Sequence, residues 1–229
     1  MITKISTGIA GLDHMTYGGF VKGTNNLIVG KPGTGKSTIA TQFLFEGLKN
    51  NEGAVYISLE EKKEKFMENM EQFGFRLREY EQKNIFRYVE VKPKEILVNI
   101  EEGIPTIENS VREVNAQRVV LDSITAFLLI FETEKQQRDL TKQLFDRIDR
   151  WNTTTVFISE IEEEDAKFGV DYLADSIIRL DLKLDTERKR GRVRTIEVFK
   201  MRGTNHRHTI VPFEINSEGV EVHPEAMIF

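Results

Sequence analysis

The stretch GKPGTGKST, residues 30–38, lies between the apolar run NLIV and the amphipathic run IATQFLFEGLKN. It matches the P-loop pattern G-x-x-x-x-G-K-[S/T], and the runs around it predict the strand before and the helix after that this pattern requires. The glycines let successive backbone N–H groups turn inward, and the N-terminus of the helix adds partial positive charge. Because strand, loop and helix agree, we predict a phosphate cradle rather than a glycine-rich turn with a chance lysine.

Individual residues of this loop have distinct expected roles. Lys36 can reach the terminal phosphates of a nucleoside triphosphate and assist phosphoryl transfer, and the Ser37 hydroxyl can ligate Mg²⁺. The further nucleotide contacts predicted in the loop are Gly30, Gly33, Thr34, Gly35 and Thr38.

The composition is that of a soluble globular protein. The chain has 229 residues, 30% of them charged and 39% hydrophobic, and we expect residues 1–229 to form a single domain. It contains no cysteine, which excludes disulfides, thiolate metal sites and cysteine nucleophiles. The N-terminal sequence lacks the apolar core of a signal peptide, and no apolar run approaches the ~20 residues of a membrane span. We therefore expect a cytoplasmic protein.

Apolar, β-branched runs alternate with helical patterns through most of the chain. Strands are predicted at 26–30, 54–59, 118–122 and 155–159, and helices at 36–49, 62–73, 95–115 and 133–151. This alternation predicts an α/β fold with a mostly parallel sheet flanked by helices on both faces. After Asp175, SIIRLDLKL and VRTIEVFKM predict an antiparallel hairpin with Gly191 in its loop, and HTIVPFEI and GVEVH predict further strands.

Acidic residues follow two of the predicted strands. Asp122 closes RVVLD, where it can complete the Mg²⁺ shell; the alternative is an aspartate that caps the next helix. Glu60 and Glu61 follow AVYISL and so lie at the carboxyl edge of the sheet, where open α/β folds bind ligands. A carboxylate there can orient or deprotonate water, but acids are also favoured in the first turn of any helix. From the residues alone, the two interpretations of Glu60 and Glu61 are even.

Several segments together resemble one family. The opening STGIAGLDHMTYGGFVKGT, the P-loop, AVYISLEE, VVLDS and the late EVFKMRGTNHRH with PFEI are similar to the KaiC branch of the RecA-like ATPases, which is named for the cyanobacterial clock protein. The resemblance covers nearly the whole chain. It implies a RecA-like P-loop core, ATP as the nucleotide, and a head-to-tail homo-oligomeric ring with ATP between subunits. It also implies that Glu60 and Glu61 are the catalytic pair.

The segment KMRGTNH gains a role through this resemblance. In the family it reaches across the interface to the ATP of the adjacent subunit, which implies trans contacts from Lys200, Met201, Arg202, Thr204 and His206. Cations supplied in trans stabilise charge in phosphoryl transfer. The alternative is an edge strand with solvated basic side chains. Gln72 aligns with a family position near the adenine.

The chain also departs from the family pattern. The clock protein carries two such domains, whereas this chain carries one, without the serine and threonine segment that is autophosphorylated. Clock function and autokinase activity are therefore not implied. Asn216 and Ser217 stand where the family often has an acid.

These observations favour an ATPase whose hydrolysis drives a conformational or assembly change in a hexameric ring that acts on a protein partner. A recombinase-like, DNA-dependent ATPase is the second hypothesis, and a nucleotide-sensing scaffold with scarcely any turnover is the third. The net charge of −5 and the acidic run EIEEED at 160–165 disfavour nucleic acid, whereas the basic run ERKRGRVR at 187–194 favours it. We expect EIEEED to form an exposed loop without a metal site, and we expect no membrane partner.

Overall fold

The computed structural model describes residues 2–100, 103–160, 170–184 and 191–226. Its strands are β1 (Lys4–Ile5), β2 (Phe20–Val21), β3 (Asn25–Gly30), β4 (Gly53–Ser58), β5 (Phe86–Glu90), β6 (Ala116–Asp122), β7 (Thr154–Ser159), β8 (Ser176–Leu184), β9 (Arg192–Met201), β10 (Val211–Asn216) and β11 (Gly219–Val222). Its helices are α1 (Ala10–Met15), α2 (Lys36–Lys49), α3 (Lys63–Glu71), α4 (Leu77–Gln82), α5 (Pro93–Asn99), α6 (Pro105–Glu113), α7 (Ile124–Leu128), α8 (Glu134–Asp149) and α9 (Val170–Leu173).

Among the described residues, nine strands form one mixed sheet in the order β11-β10-β9-β8-β3-β7-β6-β4-β5, and β1 pairs with β2 in a separate ribbon. From β8 to β5 in this order each strand is parallel to the next. Strands β9, β10 and β11 extend the sheet in the antiparallel sense. The predicted α/β fold, with a mostly parallel sheet and C-terminal antiparallel strands, is confirmed.

Helices cover both faces of the sheet because successive side chains of a strand point to opposite sides. Leu27 of β3 packs in one hydrophobic cluster and Ile28 in the other, and Val55 and Tyr56 of β4 are divided in the same way. All four side chains are at most 1% exposed. A parallel strand that is buried on both faces needs consecutive apolar residues, and this need makes β3, β4, β6 and β7 visible in the sequence.

The single helix predicted over 95–115 is wrong. The structure has two helices in this region, α5 and α6, and residues 101 and 102 between them lie outside the described part. Gly103 has a φ of +124°, a conformation that L side chains rarely adopt, and Pro105 begins α6. Because proline lacks the N–H that a continuing helix would use, α6 must start as a new element.

Other differences from the sequence prediction are smaller. The helix predicted at 36–49 matches α2, and α3 and α8 begin and end within two residues of the predicted bounds. The prediction does not include strands β1, β2 and β5 or helices α1, α4, α7 and α9. Strand β5 has the sequence FRYVE and pairs with β4 at the edge of the sheet, where a charged residue such as Arg87 interrupts the apolar pattern.

The carboxyl ends of four parallel strands meet at one edge of the sheet. There the P-loop follows β3, Glu60 and Glu61 follow β4, Ser123 follows β6, and Glu160 follows β7. Open α/β sheets bind their ligands at this edge. Within the described ranges, no helix combines the length and the apolar character that a membrane crossing requires.

Candidate functional site

The P-loop has a shape that favours glycine at two positions. Gly33 has a φ of +82° and Gly35 a φ of +101°. A Cβ at Gly33 would meet nothing within 4 Å, whereas a Cβ at Gly35 would lie 2.5 Å from Cδ1 of Ile215. The Thr34 hydroxyl donates to the carbonyl of Lys31 at 2.8 Å within the loop. The loop is therefore packed on the Gly35 side and open at Gly33, where a phosphate has room to approach.

Lys36 begins α2, and its side chain folds back over the loop. Its Nζ donates to the carbonyls of Gly30 at 2.8 Å and Lys31 at 3.1 Å, and the side chain is 6% exposed. Oε1 of Glu160 lies 3.6 Å from this Nζ. Burial lowers the pKa of Lys36, and the carboxylates of Glu160 and Asp122 partly oppose that effect. The Lys36 ammonium group is thus held against the backbone of the loop.

The two charged runs identified in the sequence are only partly described. Residues 161–165 of EIEEED lie outside the described part; Glu160 is 45% exposed, but its contact with Lys36 was not predicted. Glu160 directly follows the buried parallel strand β7, and this position predicts that it lies at the carboxyl edge of the sheet, where ligands bind. Residues 187–190 of the basic run also lie outside the described part, whereas Arg194 has its Nη2 3.5 Å from the carbonyl of Gly33.

Asp122, the last residue of β6, lies beside the start of α2. The Ser37 hydroxyl donates to Oδ2 of Asp122 at 2.8 Å, and the Tyr56 hydroxyl donates to the same oxygen at 2.5 Å. Burial raises the pKa of Asp122, although both hydrogen bonds and the charge of Lys36 favour the ionised form. Burial also raises the pKa of Tyr56 well above its ordinary value, so its hydroxyl stays a donor. Ser37 and Asp122 are both predicted Mg²⁺ ligands, whereas Tyr56 was not predicted because its sequence position is that of an ordinary buried strand residue.

Glu60 and Glu61 both follow β4 but have different neighbours. Oε2 of Glu60 accepts a hydrogen bond from the Ser123 hydroxyl at 3.3 Å, at the end of β6. Oε1 of Glu61 accepts one from Nδ2 of Asn69 at 3.2 Å and lies 4.0 Å from Nζ of Lys65, and both of these residues belong to α3. Glu60 therefore faces the strand end that carries the candidate metal ligand, whereas Glu61 faces a helix.

Thr38 and Gln72 are two other predicted nucleotide contacts, and they differ in exposure. Thr38 is 6% exposed in the first turn of α2. Gln72 is the exposed residue at the end of α3. A Cβ on the nearby Gly74 would lie 3.1 Å from the carbonyl of Ser217, so the end of α3 is close to the turn between β10 and β11. The nucleotide contacts of these residues stay predictions.

The KMRGTNH segment begins near the amino ends of the parallel strands, whereas the P-loop lies at their carboxyl ends. Lys200 of β9 pairs with Ile177 of β8, which in turn pairs with Leu27 of β3. Leu27 precedes Gly30 by three residues, about 10 Å along the strand, and β9 lies two strand spacings, about 10 Å, from β3. The Lys200 side chain is therefore too far from the P-loop of its own chain to contact a phosphate there.

Lys200 and Arg202 instead contact the end of α9. Nζ of Lys200 donates to the carbonyls of Asp171 and Ala174, both at 2.7 Å, and Arg202 donates to the carbonyl of Tyr172. Cations are favoured at this end of a helix, where carbonyl groups lack partners in the helix. Burial lowers the pKa of Lys200.

The other predicted nucleotide contacts of the KMRGTNH segment are Met201, Thr204 and His206, which lie beside Lys200 and Arg202 in the chain. Met201 is 8% exposed and packs in a hydrophobic cluster. Thr204 and His206 lie beyond β9, and the ring of His206 is centred 4.3 Å from the ring of His208. Burial lowers the pKa of His206, and the nearby His208 adds to the effect.

The side chains at the carboxyl edge fit a nucleoside triphosphate with Mg²⁺. The Ser37 hydroxyl and the Asp122 carboxylate are hard oxygen ligands of the kind that Mg²⁺ prefers, and they lie 2.8 Å apart. The open face at Gly33 and the N-terminus of α2 suit phosphate oxygens. Glu60 lies at the adjoining strand end and can hold a water molecule or accept its proton.

Comparison with known proteins agrees with this geometry. The family model for KaiC ATPases matches residues 5–227. The chain belongs to the KaiC family of ATPases. A UPF0273 protein of Pyrococcus furiosus is 36% identical over 245 aligned positions, which cover 100% of this KaiC-family chain and 97% of that relative. The circadian clock oscillator protein KaiC of Nostoc sp. is 32% identical, and the match covers 97% of this chain and 44% of the clock protein.

A solved structure gives the same result. The crystal structure of a KaiC-like protein from the hyperthermophilic archaeon Pyrococcus horikoshii matches this KaiC-family chain with a TM-score of 0.85 at 30% identity. The match covers 98% of this chain and 100% of the other. The resemblance inferred from the motifs is confirmed, and the GKPGTGKST loop is that of a P-loop ATPase domain.

Proposed function

We propose that this KaiC-family chain binds ATP with Mg²⁺ and hydrolyses it between adjacent copies of itself in a ring. The proposal rests on one observation, the separation of two groups of side chains. Lys36, Ser37 and Glu60 lie at the carboxyl edge of the sheet, whereas Lys200 and Arg202 lie at the other edge. A head-to-tail contact would bring the second group of one copy to the first group of the next, and such contacts close into rings.

Within one copy, the P-loop N–H groups and Lys36 would hold the phosphates, and Ser37 with Asp122 would hold Mg²⁺. The metal would neutralise the charge that develops on the phosphate oxygens. Lys36 would exchange two neutral carbonyl partners for phosphate oxygens, which make stronger, charge-assisted hydrogen bonds. Glu60 would orient the attacking water and accept its proton, with Glu61 as the second member of the pair.

The adjacent copy would contribute Lys200 and Arg202. Both side chains reach carbonyl groups at the end of α9, and Arg202 is 51% exposed, so an approaching phosphate could replace these partners. Among the described residues, β10 pairs with β9 only over 194–196, so β10 does not pair with the Lys200 end of β9. The resemblance of KMRGTNH to the KaiC pattern implies the same arrangement.

The test is ATP turnover per chain, measured over a wide range of protein concentration. We expect turnover to rise with concentration and then reach a plateau, because each site would need two copies. The Lys36→Ala variant should bind no ATP and give no turnover at any concentration. Turnover that is constant per chain from the most dilute sample would contradict the shared site, and absence of turnover would contradict the enzyme. Strong stimulation by single-stranded DNA would favour the recombinase-like hypothesis instead.

A further inference from the structure

A tyrosine hydroxyl lies inside one hydrophobic cluster of the sheet. Tyr56 is 1% exposed in the middle of β4, its ring lies 4.3 Å from that of Phe66, and it stacks at 5.4 Å on Tyr88 with an angle of 7° between the rings. A strand position of this kind requires only an apolar ring, whereas a buried hydroxyl requires a partner. The partner of Tyr56 is Asp122, 66 residues away in the chain.

Among the described residues, the two hydrogen bonds to the Asp122 side chain end on one oxygen. Tyr56 and Ser37 donate to Oδ2, so neither bond uses Oδ1. Ser37 would share its hydroxyl between Asp122 and the metal once Mg²⁺ binds, whereas the Tyr56 hydroxyl donates to Asp122 and is not itself a candidate metal ligand. Because the Tyr56 ring is 1% exposed and packs against the rings of both Phe66 and Tyr88, its hydroxyl cannot follow a carboxylate that turns.

We propose that Tyr56 is a positioning residue that fixes the Asp122 carboxylate in the orientation that Mg²⁺ requires. The inference rests on the proposed binding of ATP with Mg²⁺. Partners that hydrogen-bond a metal ligand orient it, and their loss typically weakens metal affinity or activity by about 10–100-fold. Tyr56 adds such a partner from a strand that carries no metal ligand itself.

The experiment compares the wild-type chain with Tyr56→Phe, which keeps the stacked ring and removes only the hydroxyl. ADP affinity is measured by calorimetry at saturating Mg²⁺ and again in EDTA, and the ratio of the two affinities reports the metal contribution. We expect Tyr56→Phe to reduce this ratio by about 10–100-fold and to leave the affinity in EDTA unchanged. A purely structural role would lower both affinities together or neither.

The matched control is Tyr88→Phe, which removes a hydroxyl from the same stack. Tyr88 donates to the carbonyl of Glu61 at 2.8 Å and not to Asp122, so its loss should leave the ratio at the wild-type value. In an Asp122→Asn background, Tyr56→Phe should have no further effect, because its target is already neutral. An equal reduction by Tyr88→Phe, or an added effect of Tyr56→Phe in that background, would overturn the positioning role.

The outcomes separate this inference from the proposed function. If the wild-type chain does not bind ADP, or binds it equally with and without Mg²⁺, the proposed function itself fails. If Mg²⁺ tightens ADP binding to the same extent in the wild-type chain and in Tyr56→Phe, only the role of Tyr56 fails.

A second measurement needs no substitution at Tyr56 and so covers the case of a variant that does not fold. The chain contains five tyrosines, so labelling their Cζ carbons with ¹³C gives a small set of signals. Single phenylalanine variants of Tyr17, Tyr80, Tyr88 and Tyr172 assign the Tyr56 signal by elimination. That signal should move when Mg²⁺ is added to the ADP-bound chain, and a Tyr56 signal that does not move would overturn the proposal.

Discussion

Glu60 and Glu61 are adjacent in the chain, but their side chains have different hydrogen-bond partners. Glu60 bonds to Ser123 at the end of β6, whereas Glu61 bonds to Asn69 of α3. We expect Glu60→Gln to keep nucleotide binding and to lower kcat by about 10²–10⁴-fold, since glutamine keeps the shape but cannot accept a proton. Glu61→Gln should lower it by less. Single-turnover hydrolysis of bound ATP measures the chemical step directly.

The double variant with glutamine at both positions sets the lower limit for this comparison. Its rate should match that of Glu60→Gln within a few-fold if Glu60 acts as the base. A larger loss in Glu61→Gln than in Glu60→Gln would assign the base to the other residue. Parental rates in the double variant would remove both from the mechanism.

The buried carboxyl group of Asp122 makes the stability of the fold depend on pH. Burial raises the pKa of Asp122 above its value in the unfolded chain. A group of this kind stabilises the fold below the unfolded pKa, about 3.9 for aspartate, and that contribution is lost as pH rises through the folded pKa. At pH 7 without ligand, the charged carboxylate therefore opposes folding.

We accordingly expect Asp122→Asn to raise the free energy of unfolding at pH 7 in EDTA, and the gain should shrink as pH falls toward 4. Urea denaturation at several pH values measures this difference. The same variant should lose the stabilisation that Mg²⁺ with ADP gives to the wild-type chain. A wild-type chain that is more stable than the variant at pH 7 would show that the two hydrogen bonds outweigh the cost of burial.

At the scale of elements, the sequence predicts a feature when the residues that cause it are close together in the chain. Strand β3, the P-loop and helix α2 follow one another directly, so their apolar period and glycines predict them. The contact between Tyr56 and Asp122 spans 66 residues, and neither residue carries a local signal for it. The prediction of one helix over 95–115 is wrong because the helical spacing of apolar residues continues through Gly103 and Pro105, whereas the helical backbone is interrupted there.

Arg118 of β6 is buried and contacts three other parts of the chain. It is 2% exposed in β6, pairs with Glu52, and donates to the carbonyls of Ser6 and Phe43, the latter in α2. We expect Arg118→Met to lower the free energy of unfolding by about 1–3 kcal/mol, because it leaves the buried carbonyl of Phe43 without this donor and Glu52 without its ion-pair partner. Urea denaturation provides the measurement.

The matched control is Arg87→Met in β5, whose pairing with Glu113 is more exposed and longer, at 3.4 Å. Loss of this surface pair should cost no more than about 1 kcal/mol. Similar effects of the two variants would mean that the Arg118 contacts contribute no more than a surface pair. ADP affinity should be unchanged in folded Arg118→Met, since the side chain contacts no residue of the P-loop in the described part.

At the scale of the whole molecule, the proposed site is divided between two ends of the sheet. The P-loop lies at the carboxyl ends of the parallel strands, and Lys200 and Arg202 lie near their amino ends. Arg202 directly follows β9, at the end of the sheet opposite the P-loop. Among the described residues, its side chain contacts the carbonyl of Tyr172 in α9 and the carboxylate of Asp175. We expect Arg202→Ala to lower turnover by about 10³–10⁵-fold while ADP affinity stays near the wild-type value, as for an arginine supplied in trans to phosphoryl transfer. Arg207→Ala is the matched control, since Arg207 lies five residues on and pairs with Glu225.

Mixing two inactive variants tests whether that arginine acts on its own chain or on a neighbour. Arg202→Ala chains keep an intact P-loop, and Lys36→Ala chains keep an intact Arg202. In an equal mixture that exchanges freely, about one quarter of head-to-tail interfaces would join a good P-loop to a good arginine, so turnover should recover to about that fraction. Exchange is verified separately with fluorescently labelled chains, because recovery requires mixed rings. Verified exchange with no recovery at any ratio would place Arg202 in the site of its own chain or in folding alone. The register of β9 with β8 and β3 argues against the first of these, because it holds this end of β9 at the far edge of the sheet.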